Sequence, residues 1–570
     1  MRNAVVQLLR GVGAAALGVT ALPLLLILGY SAIMGLRPVS RNPSDVAPEL
    51  VEVLSISARQ WGVLGRTALI GLLATAFSFL LAIPATYAVG LSRSIHLRRA
   101  MLALVAWPLL APPCIMGYSW TLLATQSTWP GRALAAIGWN SATLAPLWAA
   151  WMQANWLWPI PALILSIAYR RQGRPALRLA LLDVPPHTAF MQAALPAMAG
   201  SVAAAAALVA MLSLGDMTIA PLILAHVWTG EMNTEVARAA QLDPGAGYLL
   251  WRSWPMILLV AALVAVLMRP LARLFGDAPA AETDDSGSGN TASRYSVALA
   301  AIFVTVLVLF PTAVFISELR QSPDSLSKAF SWAGYLFFDD AKASLLVAGI
   351  CGLAAIGIGL ASIRERFERR WRHRVTAWAL GAMILLALLP APTVGRGLID
   401  LLDRPMGIPR DWHWHPYDDT PFAWILGMIA RFGFVPMVIA LSARRGCVED
   451  AADQARLDGA SGLTILARIR VPELAGPLLA GGILVFCLAL SELQVSSMLI
   501  PPRFGGSVAV SVDQQVHFGR QTNVIAMCLL LSIPALIGAA LAPILLPSDS
   551  GGTSRRTRIA SDSSNPGGAR

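Results

Sequence analysis

Residues Asp453–Leu474 read DQARLDGASGLTILARIRVPEL. The stretch is charged, holds two glycines and lies between two long apolar runs, and its proline, Pro472, opens the second run. Its surroundings decide the fold. The chain has 570 residues, of which 56% are hydrophobic and only 13% charged, where an ordinary soluble domain is about 25% charged. With a positive mean hydropathy, this composition describes an all-α polytopic membrane protein. The quoted stretch is then a polar insert between two membrane crossings.

A crossing helix needs about 20 apolar residues. Windows that meet this rule fall at 11–34, 65–91, 100–125, 144–168, 196–225 and 247–269, and again at 295–317, 342–363, 374–397, 422–443, 473–498 and 523–546. That is about twelve spans. Arg2 and Arg10 precede the first run, which continues to Met34 without a small-residue cleavage site, so it reads as a retained signal anchor. The formal charge is +11. The basic residues are almost all arginine and cluster between spans, the habit of cytoplasmic membrane loops and not of a nucleic-acid surface. Arg93, Arg98 and Arg99, then Arg170, Arg171, Arg174 and Arg178, then Arg364 to Arg374, then Arg444, Arg445, Arg456, Arg468 and Arg470, then Arg555, Arg556 and Arg558 all fall on one side if both termini are cytoplasmic. The quoted stretch faces that side.

The chain also repeats itself. Shifting by 276 positions places Pro196 on Pro472, Gly200 on Gly476, Leu214 on Leu490 and Asp216 on Glu492. Upstream, WPIPALILSIAYRR pairs with FGFVPMVIALSARR, and LLAPPCIMG with LLPAPTVGR. The expected organisation is a first half at 1–273, a Ser/Gly-rich linker at 274–293, a second half at 294–547 and a polar tail at 548–570. An even number of spans per half gives two parallel six-helix repeats, with a path at their interface.

The polar insert resembles the coupling loop of binding-protein-dependent ABC importer permeases, whose signature is EAA, three residues, Gly, nine residues, then I-x-L-P. Pro472, Val471 and Ile469 match its end, Gly459 its glycine and Ala455 its second alanine. Asp453 stands in the place of the glutamate and Gln454 in that of the first alanine, while the EDAA at Glu449–Ala452 lies too far from Gly459 to fit. The physical logic is independent of the likeness. A short amphipathic helix can seat in a groove of a soluble motor. Gly459 permits a left-handed turn. Leu463, Leu466 and Ile469 line one side of the second arm, and Pro472 suits the first turn of the next span. In the first half the matching loop is Gly173–Pro196, with Asp183 in the place of the glycine, Leu177 six residues earlier, and Pro185 and Pro186 to make the turn. The coupling segments are thus expected at 173–196 and 449–472.

The two-half arrangement is similar to the fused iron(III) permeases, with thiamine permeases as near relatives. The likeness implies a transport subunit in a bacterial inner membrane. It implies a separate cytoplasmic ATP-binding subunit that forms a homodimer, a periplasmic solute-binding protein and no cofactor. No GxxxxGK[ST], GxSxG or HExxH occurs, which disfavours an enzyme. Asp216 and Glu492 are acids inside apolar runs, at a cost of about 2.5–3.5 kcal/mol each on insertion scales. They read either as lining a cation route or as hydrogen-bonded pins between helices. An ion-coupled secondary transporter using both acids is the rival function. Arg396 and Arg431 read as snorkelling or paired. His413 and His415, with Asp418 and Asp419, raise a metal question but read equally as a contact for the binding protein; no metal site is assigned. The five cysteines show no CxxC and read as small buried hydrophobes.

Overall fold

The computed structural model describes residues 54–92, 94–124, 129–136, 138, 144–223, 225–242, 251–275, 294–320, 323–362, 370–403, 416–443, 447–501 and 504–545. Every regular element among them is a helix. Among the described residues six helices are long and apolar enough to cross a membrane, or up to nine segments if each of three bent pairs is one span. The chain is therefore a multi-pass helical membrane protein. Outward faces such as Leu69, Leu72, Leu80 and Ile83, or Leu299, Ile302, Val306 and Leu309, are exposed. Rows of large apolar side chains are stable there when lipid, not water, covers them.

The long helices begin where local chemistry tells them to. Ser57 caps Ala58–Leu91 in a capping box: its hydroxyl accepts from Gln60 N at 3.2 Å, and its own N–H donates to Gln60 Oε1 at 3.1 Å. Two of the three bends fall at prolines. Ile95–Leu110 meets Pro113–Leu123 at 85°, and Ala379–Leu388 meets Ala391–Ile399 at 105°. In the first case Ala111 precedes Pro112 and is pushed to extended backbone, φ −70°, ψ 143°. Pro112 and Pro390 then offer their carbonyls to Ile115 N and Thr393 N, each at 2.9 Å, and a new helix starts in a new direction.

Several expected spans are corrected. The 144–168 window is two helices, Ala145–Leu157 and Pro159–Ala168. The windows 196–225 and 473–498 stop early, at Leu214 and Leu490. The first linker residues, 274–275, belong to the Trp254–Phe275 helix. The 11–34 span, the rest of the linker, the tail and the histidines at 413 and 415 lie outside the described residues.

Element bounds recur along the chain. Pro186–Ala189, Phe190–Ala194 and Leu195–Leu214 reappear 276 positions on as Gly462–Ile465, Leu466–Arg470 and Val471–Leu490. Pro159–Ala168 reappears 275 positions on as Phe434–Ala443. Packing recurs too. Ala58–Leu91 lies along Leu195–Leu214, and Pro323–Ser362 along Val471–Leu490. The last described helix, Gln521–Leu545, packs on Ile95–Leu110, while Trp254–Phe275 packs on Arg370–Leu388. Arg294–Arg320 crosses the seam between the helices before residue 276 and those after residue 293: it packs on Ala58–Leu91, where Tyr87 Oη and Ser296 Oγ are 2.9 Å apart, and on Pro113–Ala124, where the Trp120 and Phe310 rings lie 4.9 Å apart. The main core draws on helices before residue 276 and after residue 293 alike.

Candidate functional site

The quoted stretch forms a helical reversal. Helix Cys447–Leu457 ends as Gly459 N donates to Arg456 O and Ala460 N to Ala455 O, both at 2.9 Å, with Gly459 at φ +80°. This is the left-handed closure that glycine supplies without strain. Ser461 caps the second arm: its hydroxyl accepts from Thr464 N at 3.2 Å. Asp453 pairs with Arg456 at 2.5 Å on its own helix. Ala455 is half-buried, Gly459 exposed, and Leu457, at the tip, is 89% exposed. The buried side of the second arm is Ile465, Leu466, Ala467 and Arg470, with Ile469 half-buried. That face is broader than the expected Leu466/Ile469 line; the side chain of Leu463 lies outside the described set.

The matching reversal uses other means. Helix Arg174–Ala180 runs into turns in which Leu181 N reaches Leu177 O and Asp183 N reaches Ala180 O. Pro185, at φ −62°, ψ 156°, then leads into Pro186–Ala189. The prolines make the turn where glycine is missing. Leu177 is half-buried; Asp183 and Pro196 are exposed. Its apolar tip is larger: Leu179 is 70% and Leu182 81% exposed.

Pro196 and Pro472 do not open new spans, contrary to expectation. Each sits inside a continuous helix, just after a π turn, Phe190–Ala194 or Leu466–Arg470. The Leu195 N–H reaches Phe190 O, and the Val471 N–H reaches Leu466 O, five residues back. The wider turn makes room for a proline ring that would otherwise strike the carbonyl four residues back. The second arm of each reversal therefore runs unbroken into its span. Pro186–Leu214 counts 29 residues, a rod of about 43 Å.

Each rod ends at one of the two acids. Asp216 is buried, and it breaks the helix instead of lying within it. Its carboxylate accepts from Gln153 Nε2 at 2.8 Å, Thr218 N at 2.9 Å, Ile219 N at 3.1 Å and Ala220 N at 3.4 Å. Ser213 Oγ donates to Gln153 Oε1, so that amide is held from both sides. Glu492 closes the other rod. Its carboxylate accepts from Val495 N at 3.3 Å and lies 3.9 Å from Arg431 Nε. Arg431 Nη1 also donates to Ala387 O at 2.8 Å, at the C-terminal end of a bent helix, where a cation is favoured. The two breaks meet: Gln494 Nε2 donates to Gly215 O at 3.0 Å, and a Cβ on Gly215 would lie 3.6 Å from Arg431 Nη2. A small apolar gap is lined by Leu386, Leu389, Ala391, Val394, Gly427, Val495 and Arg431.

Sequence reasoning missed Gln153, although it is a polar residue in the apolar run APLWAAWMQANWL. It also missed a second recurring contact. Trp228 N donates to Thr67 Oγ1 at 2.8 Å, and Val508 N to Ser344 Oγ at 3.0 Å, so a hydroxyl of a long helix caps Trp228–Leu242 beyond one break and Val508–His517 beyond the other. No group of three or more histidine, cysteine, aspartate or glutamate side chains converges among the described residues. Comparison of the chain with protein-family models, with characterised proteins and with solved structures returned no match.

Proposed function

We propose that this chain is the transmembrane permease subunit of an ATP-driven importer, built as two parallel six-span repeats in a bacterial inner membrane with both termini cytoplasmic. A separate ATP-binding subunit docks on the reversals around Gly459 and Asp183, and a periplasmic binding protein delivers the solute. The likeness to fused two-half permeases favours ferric iron as that solute, with thiamine or another small solute as the alternative.

The observation that carries the reading is the pair of unbroken rods. Each joins an exposed reversal at one end to the Asp216 or Glu492 break at the other. A push on Leu457 or Leu182 has a stiff path to the seam, where Gln494 and Gly215 meet. Closure of an ATPase dimer moves the reversals, the rods tilt, and the seam opens toward the loaded binding protein. Hydrolysis resets it. A gradient-driven mechanism on the two acids has less support, because four donors occupy the Asp216 oxygens and Arg431 faces Glu492.

The test is Gly459→Pro. Proline cannot adopt φ +80° and removes the N–H given to Arg456 O. The variant should insert normally in the membrane and lose both uptake and its ATP-binding subunit. Asp453→Arg should uncouple uptake in the same way. Normal uptake in both variants refutes the assignment.

A further inference from the structure

The last carbonyls of a helix have no partner on their own helix and must find one elsewhere. Gly215, the residue that follows Leu195–Leu214, carries such a carbonyl. Its partner comes from the other break: Gln494 Nε2 donates to Gly215 O at 3.0 Å. Gln494 is the first residue of Gln494–Leu499, which packs on Ala391–Asp403 and Phe422–Phe432, and its side chain is buried. The other end of the amide is not paired: Gln494 Oε1 is buried without a partner among the described residues. The bond is not repeated. The shift of 276 positions puts Thr218 in the place of Gln494 and Ser491 in that of Gly215. Thr218 N donates to Asp216 Oδ1 at 2.9 Å, and Ser491 Oγ to Cys487 O at 3.0 Å, so each serves its own break.

We propose that Gln494 is a positioning residue for the seam: its single amide bond to Gly215 O latches the two breaks together and sets how much of the time the seam is shut. The inference rests on the proposed function in taking this seam for the path. The amide is matched to that task. Its Nε2 bond favours the shut seam by the weight of one neutral hydrogen bond, while its buried Oε1 favours the open one, where water pairs it. The two oppose each other, so the latch holds without locking. Arg431, the nearby cation, is turned to Glu492 and to Ala387 O on its own side of the seam. Replacing Gln494 by alanine deletes the bond. It trades one unpaired acceptor, Oε1, for another, Gly215 O, so the loss of the bond is what remains, and the seam opens more often.

Gly215→Cys supplies the reporter. The nearest atoms to a Cβ there are Met211 O at 3.5 Å and Arg431 Nη2 at 3.6 Å, and the backbone is at φ −84°, so the side chain fits and faces the seam. The full chain, in membranes opened to both faces and without nucleotide, is treated with a membrane-impermeant maleimide. Labelling of the peptide that holds position 215 is followed by mass spectrometry. Gln494→Ala should label about two- to twelvefold faster than the reporter alone, the weight of one neutral hydrogen bond. Gln494→Asn, one methylene too short for the bond, should label like alanine. Gln494→His, whose Nε2–H has a similar reach, should restore the slow rate. Gly482→Ala loosens a helix crossing within the second set of helices, so it should lower the thermal midpoint and leave the labelling rate unchanged. Equal rates in Gln494→Ala and the reporter alone overturn the proposal. So does a histidine variant as fast as the alanine one, and so does a Gly482→Ala rate that rises as far. The labelling uses neither ATP nor cargo, so it fails or holds separately from the Gly459→Pro test of the proposed function.

Discussion

Replacing Asp216 by alanine asks whether this carboxylate holds a turn or serves the cargo. The side chain is the acceptor for four donors, of which Gln153 Nε2 and Thr218 N are the nearest, at 2.8 and 2.9 Å. A buried donor stripped of its acceptor costs about 1–3 kcal/mol. Counting those two bonds alone, Asp216→Ala should cost about 2–6 kcal/mol. Gln153→Ala removes one donor and leaves the backbone bonds intact, so it should cost less, and the double variant should be no worse than Asp216→Ala alone. Asp216→Asn keeps one acceptor oxygen but turns an NH₂ toward a donor, and should fall between. The assay is thermal unfolding of the purified chain in detergent, with uptake measured in parallel. The pin account predicts that stability and uptake fall together along the series Gln153→Ala, Asp216→Asn, Asp216→Ala. An Asp216→Ala protein that melts like the parent yet fails to transport would overturn the pin role and make the carboxylate a cargo ligand.

Arg431→Met should destabilise by about 3–5 kcal/mol, because Glu492 is left buried without its cation, while Arg431→Met with Glu492→Met should recover much of the loss; thermal midpoints of the single and double variants decide. Gly482→Ala should cost about 1–3 kcal/mol: its Cβ would stand 2.9 Å from Ile356 Cγ1 and 3.1 Å from Gly352 O at a close helix crossing. Gly349→Ala, where a Cβ meets nothing within 4 Å, should not lower the midpoint. At Gly459, where space is also open, the cost is conformational alone, about 1–2 kcal/mol for Ala. Asn, which tolerates φ > 0, should keep more of the ATP-binding subunit on co-purification than Ala does.

The all-helical, multi-pass character is legible in residue order because the bilayer enforces it: apolar length is a nearly one-dimensional signal. The left-handed turn at Gly459 is legible for the same reason, since one residue type suits one backbone state. The role of Pro472 was misread. A proline after a polar loop looks like a helix start, and only the backbone shows the π turn that carries the helix past it. Asp216 and Glu492 stood out as acids in apolar runs, but where the spans stop could not be read from hydropathy. The run stays apolar past Leu214 while the Asp216 carboxylate captures the N–H groups of Thr218, Ile219 and Ala220. Gln153 escaped notice because a lone amide barely dents the hydropathy of its helix, and its partner lies 63 positions away.

Under the proposed function, the chain is driven from the Gly459 side by a motor that it does not contain. The most direct measurement reconstitutes the purified chain in liposomes and follows entry of the solute supplied by its binding protein. Uptake should be absent with the chain alone, even under an imposed proton or sodium gradient. It should appear only when the ATP-binding subunit and ATP are present on the Gly459 side. Solute entry driven by a gradient through the chain alone would contradict the account.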